Sequence, residues 1–220
     1  MNLSLYVITD RTCQGKRSME ETAEEVIRGG ATVLQYREKA PLSTRILCEE
    51  VIQLRRITMQ HRVLFFVNDR VDLALACGAD GVHLGDEDLP VPIARRIAPD
   101  LLIGASCDSV ESALRAQEEG ADYLGVGPVY VTATKPDAGE AVGTGLLAEV
   151  KNAVTIPVVA IGGITPENVP EVLQSGVDGV AVIQAVVGSP SPRSQAARFR
   201  KLLNTKSLCT SLPRNKEKHL

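Results

Sequence analysis

The chain has no tryptophan, and aromatic residues make up only 3% of its 220 positions. Stacking unpaired bases needs several exposed rings, so no platform for single-stranded nucleic acid exists. Positive charge is not in excess either. The formal net charge is -3, which leaves no electrostatic footprint for nucleic acid. No apolar run approaches the roughly 20 residues of a membrane span. Asp10 and Arg11 interrupt the first apolar run, so no signal peptide is expected there. The five cysteines, Cys13, Cys48, Cys77, Cys107 and Cys209, are odd in number, irregularly spaced and form no C-x-x-C pair. That usage fits reduced structural thiols in a cytoplasmic protein. A dinucleotide fingerprint is missing, as is a nucleophile elbow with a Ser/His/Asp order.

What is present is an ordinary globular composition, 44% hydrophobic and 23% charged. The length suits one domain with a large core. Charge is unevenly placed. The last seventeen residues, Asn204 to Leu220, carry a net +3, so the remainder carries -6. This tail has no apolar periodicity and is expected to be a disordered basic end following a catalytic domain over 1–203.

Short apolar runs alternate with longer amphipathic ones. Strands are expected at Leu5–Ile8, Thr32–Arg37, Val63–Val67, Gly81–Leu84, Leu101–Ala105, Tyr123–Val126, Pro157–Ile161 and Gly179–Ile183. Amphipathic helices separate them, the last from Ser194 to Leu203. Eight such units in about 200 residues indicate a single (β/α)8 TIM-type barrel of the α/β class. The rival is a doubly wound open sheet. Gly-Ala/Val-Asp-Gly/Tyr recurs at Gly78–Gly81, Gly120–Tyr123 and Gly176–Gly179. Each repeat ends a helix at glycine and starts the next strand, which supports the barrel and gives Asp80, Asp122 and Asp178 structural roles.

Parallel α/β proteins build their sites at the carboxyl ends of the strands. Asn68 and Asp69 follow the third strand there, and Asp86, Glu87 and Asp88 follow the fourth. Carboxylates with no cysteine or histidine beside them suit a hard cation such as Mg²⁺. The plainer alternative is that Asp69 and Asp88 cap the helices that follow. After the second strand, alternation sends Gln35, Arg37 and Lys39 to one side. With Lys135 in the long loop Gly127–Thr144, these cations could hold phosphate oxygens while the acids hold the metal, which is equipment for a diphosphate. Gly162-Gly163 and the turn after Ile183 suggest a second, backbone-built anion site. His83 reads as a barrel-lining residue rather than a metal ligand, having no partner at metal spacing.

Five motifs carry a family resemblance: Gln35-x-Arg37-Glu38-Lys39, Val67-Asn-Asp69, Asp80-Gly-Val-His-Leu-Gly-x-Glu-Asp-Leu89, Gly125-x-Gly-Pro-Val-Tyr-x-Thr-x-Thr-Lys135 and Ile161-Gly-Gly-Ile164. Together, from about Leu5 to Leu203, the chain resembles the thiamine-phosphate synthases. The resemblance implies an α/β barrel. It implies a transferase joining 4-amino-5-hydroxymethyl-2-methylpyrimidine diphosphate to 4-methyl-5-hydroxyethylthiazole phosphate, or its carboxylated form, with release of diphosphate. On that basis Gln35, Arg37, Lys39, Asn68, Ser106 and Lys135 would hold the pyrimidine diphosphate, Glu38 belonging to the same motif. Asp69 and Asp88 would bind Mg²⁺. Thr132, Thr134, Gly163 and the backbone around Ile183 and Gln184 would hold the thiazole phosphate. Lys135, Arg37, Lys39 and Ser106 would serve catalysis.

Three positions depart from the family's usual pattern. Asp86 stands for Gln, Asp108 for His and Gln184 for Ser. The rival functions are a thiazole tautomerase on the same barrel and a non-catalytic sensor of phosphate ligands. The joint presence of Asn68, Asp69, Asp88 and Lys135 favours the synthase. Expected partners are small molecules, with neither nucleic acid nor membrane, and homo-oligomerisation is left open.

Overall fold

The computed structural model describes residues 1–132 and 139–209, the side chains of 205–209 excepted. Its strands are β1 (Leu5–Ile8), β2 (Val33–Tyr36), β3 (Leu64–Asn68), β4 (Gly81–Leu84), β5 (Leu102–Cys107), β6 (Tyr123–Val126), β7 (Val158–Ile161) and β8 (Gly179–Val182). The helices are α1 (Met19–Arg28), α2 (Thr44–His61), α3 (Val71–Cys77), α4 (Val91–Ile97), α5 (Val110–Glu118), α6 (Gly143–Ala153), α7 (Val169–Gln174), α8 (Gln184–Val187) and α9 (Pro192–Cys209). All strands run parallel and close into a barrel in sequence order. The closing pair aligns Tyr6 of β1 with Ala181 of β8. An open doubly wound sheet would leave those two strands unpaired, so the barrel is the fold.

The strands form because they are buried on both faces. In β1, β2, β6 and β8 every residue is buried. Alternate residues meet either the helices or the barrel interior. The outer layer is apolar and mostly aliphatic, with Val7, Leu34, Phe65, Val67, Leu124 and Val180 packed against the helices. Each such side chain contributes about 1.5–3 kcal/mol. The interior is built differently, from Tyr6, Phe66 and Tyr123 among smaller residues. Phe66 and Tyr123 meet edge to face, with centroids 5.4 Å apart. Tyr123 fits because its neighbour on β5 is Gly104. A Cβ at that glycine would lie 2.2 Å from the Tyr123 ring.

The three repeat aspartates share one device at the amino-terminal rim. Asp80 accepts from the Phe65 N–H at 2.8 Å and from both terminal nitrogens of Arg55. Asp122 accepts from the Ile103 N–H at 2.7 Å and pairs with Arg95. Asp178 accepts from the Val158 N–H at 2.7 Å and pairs with Lys151. Each therefore ties the start of the preceding strand to a helix cation, as a structural role requires.

Most strand ends shift by one or two residues, β5 running to Cys107 rather than Ala105, and three helices differ more. α6 begins at Gly143, inside the segment expected as the long loop Gly127–Thr144. α8 was not anticipated, since four residues are too few to show a helical period. α9 runs to Cys209, six residues into the segment expected as a tail. Residues 210–220 lie outside the described ones.

Candidate active site

A cavity of about 440 Å³ opens at the carboxyl ends of the strands. Of the residues singled out from the sequence, Gln35, Arg37, Lys39, Asn68, Asp69, Asp88, Ser106 and Ile183 line it. Thr134 and Lys135 lie outside the described residues. Glu38, Thr132, Gly163 and Gln184 are described but are not part of this lining.

The acids come first. Asp69 follows the end of β3 in a left-handed conformation, φ 63°. Such backbone costs of order 1 kcal/mol for a non-glycine residue and persists where the surroundings hold it. Here its N–H donates to the His83 carbonyl at 2.8 Å. Asp88 closes the turn after β4, its Oδ2 accepting from the Gly85 N–H at 2.7 Å. Neither acid caps a helix. The residue before α3 is Arg70 and the one before α4 is Pro90, and neither helix start has a side-chain cap. The capping alternative therefore fails for both. Instead the two carboxylates meet. Burial pushes the Asp88 carboxyl above its ordinary range, and contact with Asp69 adds to the rise, against the Gly85 N–H and Lys39.

The cations are already engaged. Lys39 Nζ lies 2.6 Å from Asp69 Oδ2. Arg37 pairs with Asp10, which is nearly buried at the end of β1. Asp10 was missed as a site residue, although Thr9-Asp10 ends a strand just as Asn68-Asp69 does. Its second oxygen accepts from the Thr12 N–H at 2.9 Å. Among described residues no group of three or more His, Cys, Asp or Glu converges as a metal cage. Mg²⁺ held jointly with a diphosphate needs only one or two carboxylates, so the Asp69–Asp88 pair fits that use.

Three residues expected in the site also serve the protein's own framework. Glu38 points away from the cavity. Its carboxylate accepts from Arg11, which also pairs with Glu50, and from the Ala40 N–H at 2.7 Å. This braces the Arg37–Lys39 segment from behind. Gly163 has φ 65°, and a Cβ there would lie 2.7 Å from Tyr130 Cβ. The loop after β6 itself fills that approach, held by Tyr130 N–H on the Gly162 carbonyl at 3.1 Å. Gly163 is thus needed for the protein's own packing, whatever it offers a phosphate. Gln184 is exposed. Its amide folds over Gly188, within 2.4 Å of where a Cβ would stand.

The cavity floor carries residues that the sequence alone did not assign to the site. His83, expected to line the barrel, lines the cavity together with Tyr6 and Tyr123. Asp108 lines it as well, and so do Asp86 and Glu87, which the sequence had placed beside Asp88.

Residues 5–186 match a family model described as thiamine monophosphate synthase. The chain belongs to the thiamine monophosphate synthase family. The chain is 47% identical over 200 residues to the thiamine-phosphate synthase of Chloroflexus aurantiacus, covering 91% of this chain and 92% of the relative. Against that of Pyrococcus furiosus it is 50% identical over 202 residues, covering 91% and 95%. The solved thiamine phosphate pyrophosphorylase from Pyrococcus furiosus superposes with a TM-score of 0.86 at 46% identity, covering 93% of this chain and 96% of that one. In this thiamine monophosphate synthase barrel the acids, cations and hydroxyls gather at the face where the fold places its chemistry. No helix among the described residues is long and apolar enough to cross a membrane. The four cysteines with described side chains are all free.

Proposed function

We propose that the chain joins 4-amino-5-hydroxymethyl-2-methylpyrimidine diphosphate to 4-methyl-5-hydroxyethylthiazole phosphate, giving thiamine phosphate and diphosphate. The observation that carries this reading is the crowding of Asp69, Asp88, Lys39 and Arg37 around one cavity, with Asp10 paired to Arg37, in a member of this family. Two carboxylates in contact are under-compensated, and two cations stand within reach of an anionic ligand. A diphosphate with a divalent cation satisfies both at once.

In this reading Asp69 and Asp88 hold Mg²⁺, which when bound neutralises charge on the diphosphate. Arg37, Lys39 and Lys135 take the diphosphate oxygens, and Asn68 orients the group. Gln35 and Ser106 hold the pyrimidine. The C–O bond to diphosphate breaks as the amino-substituted ring stabilises the cation left behind. The thiazole nitrogen then forms the new C–N bond. No protein nucleophile or strong base is needed, so rate comes from charge stabilisation and positioning. Thr132, Thr134 and the backbone at Gly163, Ile183 and Gln184 hold the thiazole phosphate. Short α8 directly after β8 supports this assignment, because barrels commonly bind phosphate at such a helix. The assembly is further proposed to work in the cytoplasm, alone or as a homo-oligomer.

The deciding experiment mixes purified full-length chain, Mg²⁺ and both substrates and detects thiamine phosphate. Mg²⁺-dependent product is expected. Thiazole isomerisation without condensation would replace this reading with the tautomerase.

A further inference from the structure

Five side chains from five strands form one continuous hydrogen-bonded chain across the floor of the cavity. Gln35 Nε2 on β2 donates to the Tyr6 hydroxyl on β1 at 3.0 Å. Tyr6 and Tyr123 hydroxyls meet at 2.8 Å. The Tyr123 hydroxyl lies 2.9 Å from His83 Nδ1 on β4. His83 Nε2 lies 3.0 Å from Ser106 Oγ on β5. The rings are placed by close packing, since a Cβ on Gly125 of β6 would lie 2.9 Å from His83 Cε1. Burial pushes both phenols well above their ordinary range, so they remain neutral hydroxyls.

Counting protons then fixes direction. An amide nitrogen only donates, so Tyr6 accepts from Gln35, and the Tyr123 oxygen is the acceptor within reach of its own buried proton. Tyr123 in turn spends its proton on His83 Nδ1. His83 is thereby held as the Nε2–H tautomer and donates to Ser106. Ser106 Oγ, having accepted, keeps its own proton for the cavity. At the other end Gln35 presents its carbonyl oxygen. A one-way chain always gives its two ends opposite character.

We infer that Tyr6, Tyr123 and His83 are positioning residues that make Ser106 a hydrogen-bond donor and Gln35 an acceptor, so that the cavity selects a ring bearing an acceptor atom beside an amino group. This rests on the proposed pyrimidine substrate for its ligand, but not for the chain itself. None of the three needs to exchange a proton with substrate. Their work is to keep two end groups, 71 residues apart in sequence, in complementary states.

Two measurements test it. In the unliganded protein, ¹⁵N NMR of the His83 ring should show the proton on Nε2 and Nδ1 as the acceptor. A dominant Nδ1–H tautomer or an imidazolium would overturn the inference whatever the enzyme does. The second compares 4-amino-5-hydroxymethyl-2-methylpyrimidine phosphate with its 4-oxo counterpart as competitive inhibitors against the pyrimidine diphosphate. The wild type should favour the amino compound by at least ~30-fold, because sites built to hydrogen-bond a group reject analogues with mismatched polarity. Tyr123→Phe keeps the ring, cuts the chain, and should narrow that preference to within ~5-fold, leaving the KM for thiazole phosphate unchanged. Tyr6→Phe, cutting it one link earlier, should do the same. Both variants are checked first for wild-type melting. Unchanged discrimination in folded variants overturns the inference while the proposed function stands. Absence of thiamine phosphate in the wild type removes the function, and the NMR result still decides the chain.

Discussion

Asp122, at the start of β6, and Asp88, just past the end of β4, are both partly buried carboxylates, yet they keep different company. Asp122 accepts from the Ile103 N–H and from Arg95, and Asp80 and Asp178 repeat the arrangement at the same rim. At the opposite rim Asp88 has one backbone N–H and faces Asp69, which pairs with Lys39. Among the described residues, three acids in the first group have three separate cations, and two in the second share one. At the amino-terminal rim each ion pair also holds a backbone N–H at the start of a strand, and so stabilises the fold. Crowded acids hold the structure at a higher energy than it need have, and a cation bound there, as proposed, would recover the difference. The contrast sets the structural carboxylates apart from the proposed metal-binding pair by their partners rather than by their burial.

The largest expected effect lies at the carboxyl-terminal rim. Asp69→Ala and Asp88→Ala should each lower turnover by at least ~100-fold, about 2.7 kcal/mol of barrier. Melting temperatures should not fall. Normal turnover at low Mg²⁺ in either variant would return that acid to an ordinary surface role.

Asp122→Ala should do the reverse. It leaves the Ile103 N–H and Arg95 short of a partner and should cost about 1–3 kcal/mol of stability. Turnover per folded molecule, with both substrates saturating, should match the wild type. A specific loss of kcat at full folding would erase the distinction between the rims.

Much of this was legible in the sequence, for identifiable reasons. Buried strands announce themselves as β-branched runs, and the repeated Gly-Ala/Val-Asp pattern marked Asp80, Asp122 and Asp178 as a set. Asp69, Asp88, Arg37 and Lys39 were readable because each follows a strand end. Their pairings were not. That Arg37 meets Asp10 and Lys39 meets Asp69 depends on how neighbouring strands bring distant loops together. Glu38 is a different case. The alternation that turned Arg37 and Lys39 inward already implied that Glu38 points outward, toward Arg11. The floor chain was hidden because Tyr6 and Tyr123 are 117 residues apart, and each alone looks like core. Its one signal was a run of polar or aromatic residues at inward strand positions: Tyr6, Gln35, His83 and Tyr123.

The smallest effect is also the sharpest test of the comparison. Burial and Asp69 hold the Asp88 carboxyl above its ordinary 3.8. Well below that pH, folded and unfolded chains both carry the proton, and charge at this site costs nothing. As pH rises through the window above 3.8, the unfolded chain ionises first and the folded chain resists. Stability is therefore lost across that window and stays lost at neutral pH. Asp88→Asn removes the charge while keeping an oxygen for the Gly85 N–H. Without metal it should melt higher than the wild type at pH 7, by up to about 2–4 °C for up to about 1 kcal/mol, solvent screening setting that ceiling. In acid the two proteins should converge. Added Mg²⁺ should then raise the wild-type melting temperature and leave the variant nearly unmoved, because only an intact pair gains by binding the ion in the folded state. An advantage for Asp88→Asn that is independent of pH would point to side-chain packing instead. A variant less stable than the wild type at pH 7 would mean that Asp88, like Asp122, is a structural acid after all.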